Sequence, residues 1–320
     1  MINVVAGVIR KDNKIFCARR KEGLHLAGCW EFPGGKVESG ESYEYSLARE
    51  LEEELCINVS VGPYVGQSTF DYGEKTIRLH AFLVDWKGGE MVLHDHDEIR
   101  WLPLDKLDDL NWAPADVPLI HQLKSYMYYE AEASSYVEET AVFEVKESYK
   151  EFLESLEPTG RILDLGCGSG RDSIAFNDLG FDVTGIDACP SVAAIASSRT
   201  GQPVSVMSYF NMEFESEFDG VWACASLLHS PKTEWLSVFS NILAVLKPGG
   251  IAYVSLKAGE GEGFDERGRF FAYCNADELR EMLDSLEGVS NLTLWEKEGE
   301  LRGKQQGWVN VLITKGEDGG

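Results

Sequence analysis

Apolar and polar positions follow two different rhythms along the chain. In the first part, the apolar runs Val4 to Ile9 and Ile15 to Ala18 flank the polar Lys11-Asp12-Asn13, which predicts a hairpin. Ser42 to Leu55 reads as a helix and Ile77 to Val84 as a strand rich in apolar residues. Pro114 to Tyr126 predicts a closing helix with Pro114 in its first turn, where the missing N–H costs no hydrogen bond.

From about residue 160 strands and helices alternate. Arg161 to Leu165 reads as a buried strand, Arg171 to Leu179 as a helix stopped at Gly180, and Phe181 to Ile186 as the next strand. Phe218 to Ala223 continues the pattern, as does Ile251 to Leu256 after the turn Lys247-Pro248-Gly249-Gly250. Asn275 and Glu278 form a capping pair for a helix through Leu283, and Leu292 to Trp295 with Trp308 to Ile313 make a last strand pair. This alternation predicts a doubly wound sheet with helices on both faces. The expected domains are residues 1–127 and 128–320. Tyr128 to Leu156, which holds no Gly or Pro, is expected to be the helical lead-in to the second.

Length agrees with two domains, since 320 residues exceed one ordinary core. Charge adds an exclusion. The net charge is -25, of which residues 1–125 carry -7 and residues 126–320 carry -18. So acidic a surface repels nucleic-acid backbones and anionic membranes, and points to small, diffusible substrates. The first residues show no basic segment followed by an apolar stretch, and no window has the apolar length of a membrane span. Seven scattered cysteines without a Cys-x-x-Cys pair argue against a disulfide framework and a thiolate zinc site. The expected location is the cytoplasm.

The stretch Gly35 to Ile57 carries the strongest chemical signal. On a helix, Glu50, Glu53 and Glu54 stand at i, i+3 and i+4 and share one face. Two anions 4 Å apart repel by about 4 kcal/mol at an effective dielectric of 20, and a hard divalent cation with oxygen ligands relieves that. A solvated acidic helix face is the plainer alternative. The preceding turn Glu31-Phe32-Pro33-Gly34-Gly35, which brings backbone close to a ligand, weighs against it. His94 and His96, without a third partner, are read as loop residues and not as zinc ligands.

Gly35, Glu41, Arg49, Glu50, Leu51, Glu53, Glu54 and Ile57 stand at the spacing of the Nudix box, with Cys56 where the family has Gly. Residues 1–125 resemble the MutT-type branch of that family, also in Ala18-Arg19-Arg20, Trp30 to Lys36 and Trp112 to Asp116. The resemblance implies an α/β/α sandwich with a mixed sheet and Mg2+-dependent hydrolysis of a nucleoside triphosphate to the monophosphate and pyrophosphate. It implies Glu50, Glu53 and Glu54 as catalytic residues and, with Gly34 and Asp95, as metal ligands. Arg49 pairs with Glu41, and Arg20, Phe32 and Asp116 contact the nucleotide. At Asp116 an ionised carboxylate accepts from the amine of cytosine, whereas a protonated one recognises an oxidised guanine; both remain open, as does an ordinary acid at a helix start. Cys56 puts the turn geometry in question, since Gly tolerates a left-handed helix end better.

In the second part, a strand ending at Leu165 runs into Gly166-x-Gly168-x-Gly170, and Asp187 ends the next strand seventeen residues later. An acid at that edge can accept from both ribose hydroxyls. A dinucleotide site makes a similar signature, spelled Gly-x-Gly-x-x-Gly. The tighter spacing, with Phe218-Asp219 and Leu246 to Gly250, resembles class I S-adenosylmethionine-dependent methyltransferases over residues 128–320. That resemblance implies a Rossmann-like sheet, S-adenosylmethionine as cofactor, and Asp164, Gly166, Gly168, Gly170, Asp187 and Ser208 around it. Lys257, Glu262, Arg269, Tyr273 and His229 flank the expected acceptor edge, and the pattern is similar to small-molecule methyltransferases, tellurite-resistance types included. Together the halves imply a bifunctional enzyme. The alternative is a methyltransferase regulated by a nucleotide-sensing Nudix module.

Overall fold

A computed structural model describes residues 1–142, 146–301 and 304–317. It divides into two compact units, Met1–Lys124 and Ser125–Gly320. The first contains β1 (Ile2–Lys11), β2 (Lys14–Arg20), β3 (Trp30–Glu31), α1 (Tyr43–Leu55), β4 (Asn58–Asp71), β5 (Thr76–Gly88) and β6 (His96–Pro103). Its mixed sheet runs β3-β2-β1-β5-β4, with β6 on β2. The parallel pair is β1 and β5, in register from Ile2 with Ile77 to Ile9 with Val84. The β1–β2 hairpin closes through Asp12 and Asn13 at φ of 50° and 59°, left-handed values that short polar side chains tolerate.

Helix α1 begins where Ser42 accepts the Tyr45 N–H at 3.2 Å. It buries Leu47, Leu51 and Leu55. Gly7 of β1 lies flat beneath it, since a Cβ there would stand 3.1 Å from Leu51 Cδ1. The helix ends with Cys56 itself left-handed at φ 56°, its N–H bonded to the Glu52 carbonyl. A left-handed helix end thus forms on a residue with a Cβ, at a cost of about 1–2 kcal/mol.

The last helix of the first unit starts later than its proline suggests. α2 spans Val117–Thr140, bends at Glu132, and contains the division between the units. Pro114 lies in the turn before it. Backbone bonds from Trp30 to Asn111 and from Ala113 to Trp30, at 2.9 and 2.8 Å, hold residues 111–113 beside β3, so the helix cannot begin until the chain leaves that edge.

The second unit adds α3 (Lys146–Leu153), β7 (Arg161–Leu165), α4 (Arg171–Asp178), β8 (Asp182–Asp187), α5 (Pro190–Thr200), β9 (Val204–Val206) and β10 (Phe218–Cys224). These are followed by α6 (Lys232–Val245), β11 (Leu246–Ala258), β12 (Glu262–Phe264), β13 (Phe270–Cys274), α7 (Ala276–Leu283), β14 (Val289–Leu301) and β15 (Lys304–Lys315). The helical lead-in is α3 with the end of α2; residues 143–145 of that stretch lie outside the described residues. Strands β9, β8, β7, β10 and β11 are parallel neighbours, while β15 runs antiparallel to β11 and carries β14. Strand order reverses between β7 and β10, which opens a crevice at their carboxyl ends. Lys247 to Gly250 is a bulge within β11 rather than a turn before it. The register jumps from Phe218 with Leu246 to Gly220 with Ile251. Asn275 caps α7 by accepting the Glu278 N–H at 2.8 Å.

Trp222 is the centre of the second core, stacked on Tyr253 at 4.1 Å and edged by Tyr149, Phe152 and Phe176. Its Nε1 donates to buried Asp172 at 2.8 Å. Among the described residues no helix is long and apolar enough to cross a membrane, and all seven cysteines are free. Replacing Trp222 by Ala leaves a cavity and deprives Asp172 of a donor, so it should cost at least about 3–5 kcal/mol. Urea unfolding of the variant should show a clearly lower midpoint, and an unchanged midpoint would refute this packing role.

Candidate functional site

In the first unit the loop after β3 lies directly on α1. A Cβ on Gly34 would stand 2.0 Å from the Val5 carbonyl oxygen, and one on Gly35 would stand 2.2 Å from the Glu50 carboxylate. Arg49 fixes this approach. Its Nε and Nη2 donate to the two oxygens of Glu41 at 2.9 Å, Nη2 reaches the Lys36 carbonyl at 3.1 Å, and Nη1 reaches Glu50 at 2.9 Å. Arg49 first, and the Ser46 hydroxyl second, hold the Glu41 carboxyl down at about 2.

The three helix acids meet different surroundings. Glu50 is 15% exposed against Gly35, whereas Glu53 is 62% exposed and only 3.3 Å from Arg49. Glu54 is half-buried, and among the described residues its buried Oε2 has no hydrogen-bond partner. Burial first, then Glu31, Asp95 and Glu50, push the Glu54 carboxyl up to about 8, against the Gly34 N–H that favours its charged form. Among the described residues no three His, Cys, Asp or Glu side chains converge closely enough to hold a metal as they stand. Even so, an orphaned buried carboxylate oxygen facing further carboxylates is a donor set that fits a hard cation.

A cavity of 240 Å³ opens beside these acids, lined by Arg20, Glu31, Phe32, Gly34, Glu54 and Asp116 among others. Arg20 donates to both oxygens of Glu31 at 2.7 and 2.8 Å and to the His25 carbonyl at 2.7 Å. Phe32 packs on Trp112 at 4.8 Å, and its N–H donates to Asp116 Oδ1 at 2.9 Å. The Asp116 side chain therefore serves the β3 loop, while its carbonyl accepts the Ile120 N–H at the start of α2 at 3.1 Å. Burial first, then Glu31, holds its carboxyl well above the usual carboxylate range. Asp95 does not line the cavity; its carboxylate stands 3.6 Å from Lys21 Nζ.

In the second unit Gly166, Gly168 and Gly170 take φ of 74°, 53° and 70°. A Cβ on them would stand 2.6 Å from Ser226 Cβ, 3.0 Å from the Tyr136 hydroxyl and 2.7 Å from Thr200 Cγ2. Only glycine fits a loop so twisted and so closely packed. Asp187 ties it down by accepting the N–H groups of Gly168 and Cys189, both at 3.0 Å, and burial raises its carboxyl to about 6. Asp164 is buried and accepts the Ser173 hydroxyl at 2.6 Å; burial and Asp172 push it up to about 7. Ser208 accepts the Phe210 N–H at 3.3 Å.

A cavity of 550 Å³ opens on this loop. Asp164, Gly166 and Gly168 line it, whereas Gly170, Asp187 and Ser208 do not. Its wall includes His229, expected at the acceptor edge, and two tyrosines that the linear pattern does not single out. Tyr129 and Tyr136, seven apart on α2 and so on one face, pack at 4.8 Å. His229 Nδ1 donates to the Phe270 carbonyl at 2.8 Å, which leaves Nε2 to accept from the Tyr129 hydroxyl at 2.7 Å. Burial pushes the His229 pKa down to about 3, so the ring is neutral.

Comparison with known proteins identifies both halves. Residues 1–123 match the family model of the NUDIX domain. The CTP pyrophosphohydrolase of Escherichia coli is 42% identical over 120 residues, which covers 38% of this chain and 89% of that protein. The chain belongs to the Nudix family. Beyond its Nudix domain it carries a methyltransferase domain, matched over residues 162–250. A putative methyltransferase of Bacillus subtilis, YqeM, is 35% identical over 132 residues, 39% of this chain and 53% of that protein, so the chain spans about half of that relative. A crystal structure of a Burkholderia thailandensis 1,6-didemethyltoxoflavin-N1-methyltransferase with S-adenosylhomocysteine has the same fold, with a TM-score of 0.53 at 19% identity over 64% of this chain and 93% of that one. Both domains are of enzyme families.

In the Nudix domain Glu31 is the residue that linear reading passed over. It accepts from Arg20 and, at 2.9 Å, pairs with buried His96 Nε2. Its only sequence signal was its place before Phe32-Pro33-Gly34-Gly35. The Glu41–Arg49 pair yields a pH test. Because the folded-state pKa of Glu41 lies below that of the unfolded chain, the pair stabilises fully above about pH 4.5 and loses its effect as pH falls toward about 2. Glu41→Gln should lower the unfolding midpoint at pH 7, and the gap to the unmodified chain should narrow steadily below pH 4.5. A gap that stays constant down to pH 3 would rule out the ion pair as its cause.

Proposed function

We propose that the Nudix domain hydrolyses a nucleoside triphosphate with Mg2+, releasing pyrophosphate, and that the second domain methylates a small molecule with S-adenosylmethionine. The partnerless buried oxygen of Glu54 carries the first half. Glu50, Glu54 and the Gly34 carbonyl would hold the cation, with the exposed Glu53 and Asp95 as further carboxylates outside the cavity. A divalent cation there neutralises phosphate charge and lowers the pKa of a bound water. Arg20, already oriented by Glu31, takes a phosphate, and Phe32 packs against the base. The likeness to a CTP pyrophosphohydrolase supports a nucleotide substrate.

Asp116 narrows the base chemistry. Burial raises its carboxyl, and in the neutral form it would offer one donor and one acceptor side by side. Cytosine pairs with that through N3 and its amine, and an 8-oxidised guanine through O6 and its N7–H. Ordinary guanine presents two acceptors on the same edge and does not pair.

The second half rests on the glycine loop at the mouth of the 550 Å³ cavity. Each Asp187 oxygen keeps a lone pair beyond its backbone bond, to accept a ribose hydroxyl. S-adenosylmethionine supplies the methyl group from its sulfonium.

With Mg2+ and a nucleoside triphosphate panel, Glu53→Gln and Glu54→Gln should each lower kcat by about two orders of magnitude or more in folded protein. Wild-type turnover in both would end the assignment. Asp116→Asn, which stays neutral, should keep KM within a few-fold, while Asp116→Ala should raise it about tenfold or more. Equal losses in the two would favour an ionised Asp116. Calorimetry should show binding of S-adenosylhomocysteine and none of NAD, weakened in Asp187→Ala by about 1.5–3 kcal/mol. The reverse selectivity would assign the site to a dinucleotide.

A further inference from the structure

We propose that the methyl acceptor is a small anion received by Lys257 and Arg269; the inference rests on the methyltransferase reading given above. The second domain is strongly acidic, with 15 Lys and Arg against 33 Asp and Glu. Its cavity reverses that balance. Among the described residues, Arg171, Lys257, Arg269 and Lys297 line it, with Asp164, Asp172 and Glu298.

Lys257 and Arg269 are each only 9% exposed. Taking a cation out of water costs several kcal/mol unless the site compensates. Here the two share one aromatic ring, with Lys257 Nζ 3.4 Å and the Arg269 guanidinium 5.0 Å from the centroid of Phe271. Asp265 takes Arg269 Nε and Nη2 at 3.0 and 2.6 Å, which leaves Nη1 with a long 3.4 Å contact to the Tyr129 hydroxyl. Two like charges on one ring repel each other, and an anion between them relieves that repulsion. Their joint field reaches neighbouring groups, since both lower the pKa of His229 after burial has done so.

Position agrees with chemistry. Lys257 lies at the carboxyl end of β11, next to the strand-order reversal where ligands of such sheets bind. Arg171 is engaged by Asp172 at 2.6 Å on the loop side. Lys257 and Arg269 stand instead around Phe271.

The test uses the full chain and methyl-tritiated S-adenosylmethionine. A protein-free small-metabolite extract is separated on an anion exchanger at pH 7 before the reaction, and each fraction is offered as acceptor. Labelling is expected with the retained fractions. It should fall at least tenfold in Lys257→Met, with S-adenosylhomocysteine affinity within twofold of the unmodified chain. Labelling confined to the unretained fraction, undiminished labelling by Lys257→Met, or no labelling by a chain that still binds S-adenosylhomocysteine would overturn the inference. Weakened S-adenosylhomocysteine binding in Lys257→Met would overturn it too, by assigning the lysine to the cofactor's carboxylate. Failure of the unmodified chain to bind S-adenosylhomocysteine would instead overturn the methyltransferase reading itself.

Discussion

Both sites depend on a carboxylate laid against glycine backbone inside the protein. Removing a carboxylate from water costs several kcal/mol even after relaxation. In the Nudix domain the Gly34 N–H offsets part of that for Glu54, and in the methyltransferase domain the Gly168 N–H does so for Asp187 at 3.0 Å. The arrangement admits no Cβ at Gly35 or Gly168, because Glu50 and Tyr136 already occupy the space. Glycine, buried acid and neighbouring helix therefore have to be specified together.

The two domains complete the constraint differently. Both oxygens of Asp187 are bonded to backbone, so the loop stands ready without a ligand. Glu54 keeps one buried oxygen without a partner, facing Glu31, Asp95 and Glu50. A site left in that state is stabilised by whatever supplies positive charge, which is the role proposed above for a divalent cation. The raised carboxyls of Glu54, Asp116, Asp164 and Asp187 all belong to groups placed at one of the two sites. Burial is the largest cause in every case, so the same desolvation marks both.

Much of this was legible in the residues because its signals are local. The polar pair Asp12-Asn13, the Ser42 cap and the Asn275 cap act within a few residues, and the elements they bound are present. What was misread depends on distant partners. Pro114 opens no helix because Trp30 pins residues 111–113 to β3, and Lys247 to Gly250 bulges within a strand because Phe218 pairs across it. Tyr129 and Tyr136 carry no local motif. They become a wall only when α2 meets the carboxyl edge of the sheet, and their seven-residue spacing was the one trace available.

The helix acids show where spacing stops and environment takes over. Positions i, i+3 and i+4 bring Glu50, Glu53 and Glu54 to one face, and that much follows from helix geometry. They do not behave as equivalents, because Arg49 projects among them with five donors to place. It gives its bidentate edge to Glu41, one bond to Glu50, and only a 3.3 Å contact to Glu53, which remains in solvent. Glu54 lies beyond its reach in the described bonds and is instead half-buried, with one oxygen desolvated, beside the Gly34 loop that Arg49 itself holds down through the Lys36 carbonyl. One arginine thus sorts three like acids into a fixed one, an exposed one and a desolvated one. Its loss would do more than remove an ion pair: the loop would lift, Glu54 would regain water, and the distinction among the three would disappear.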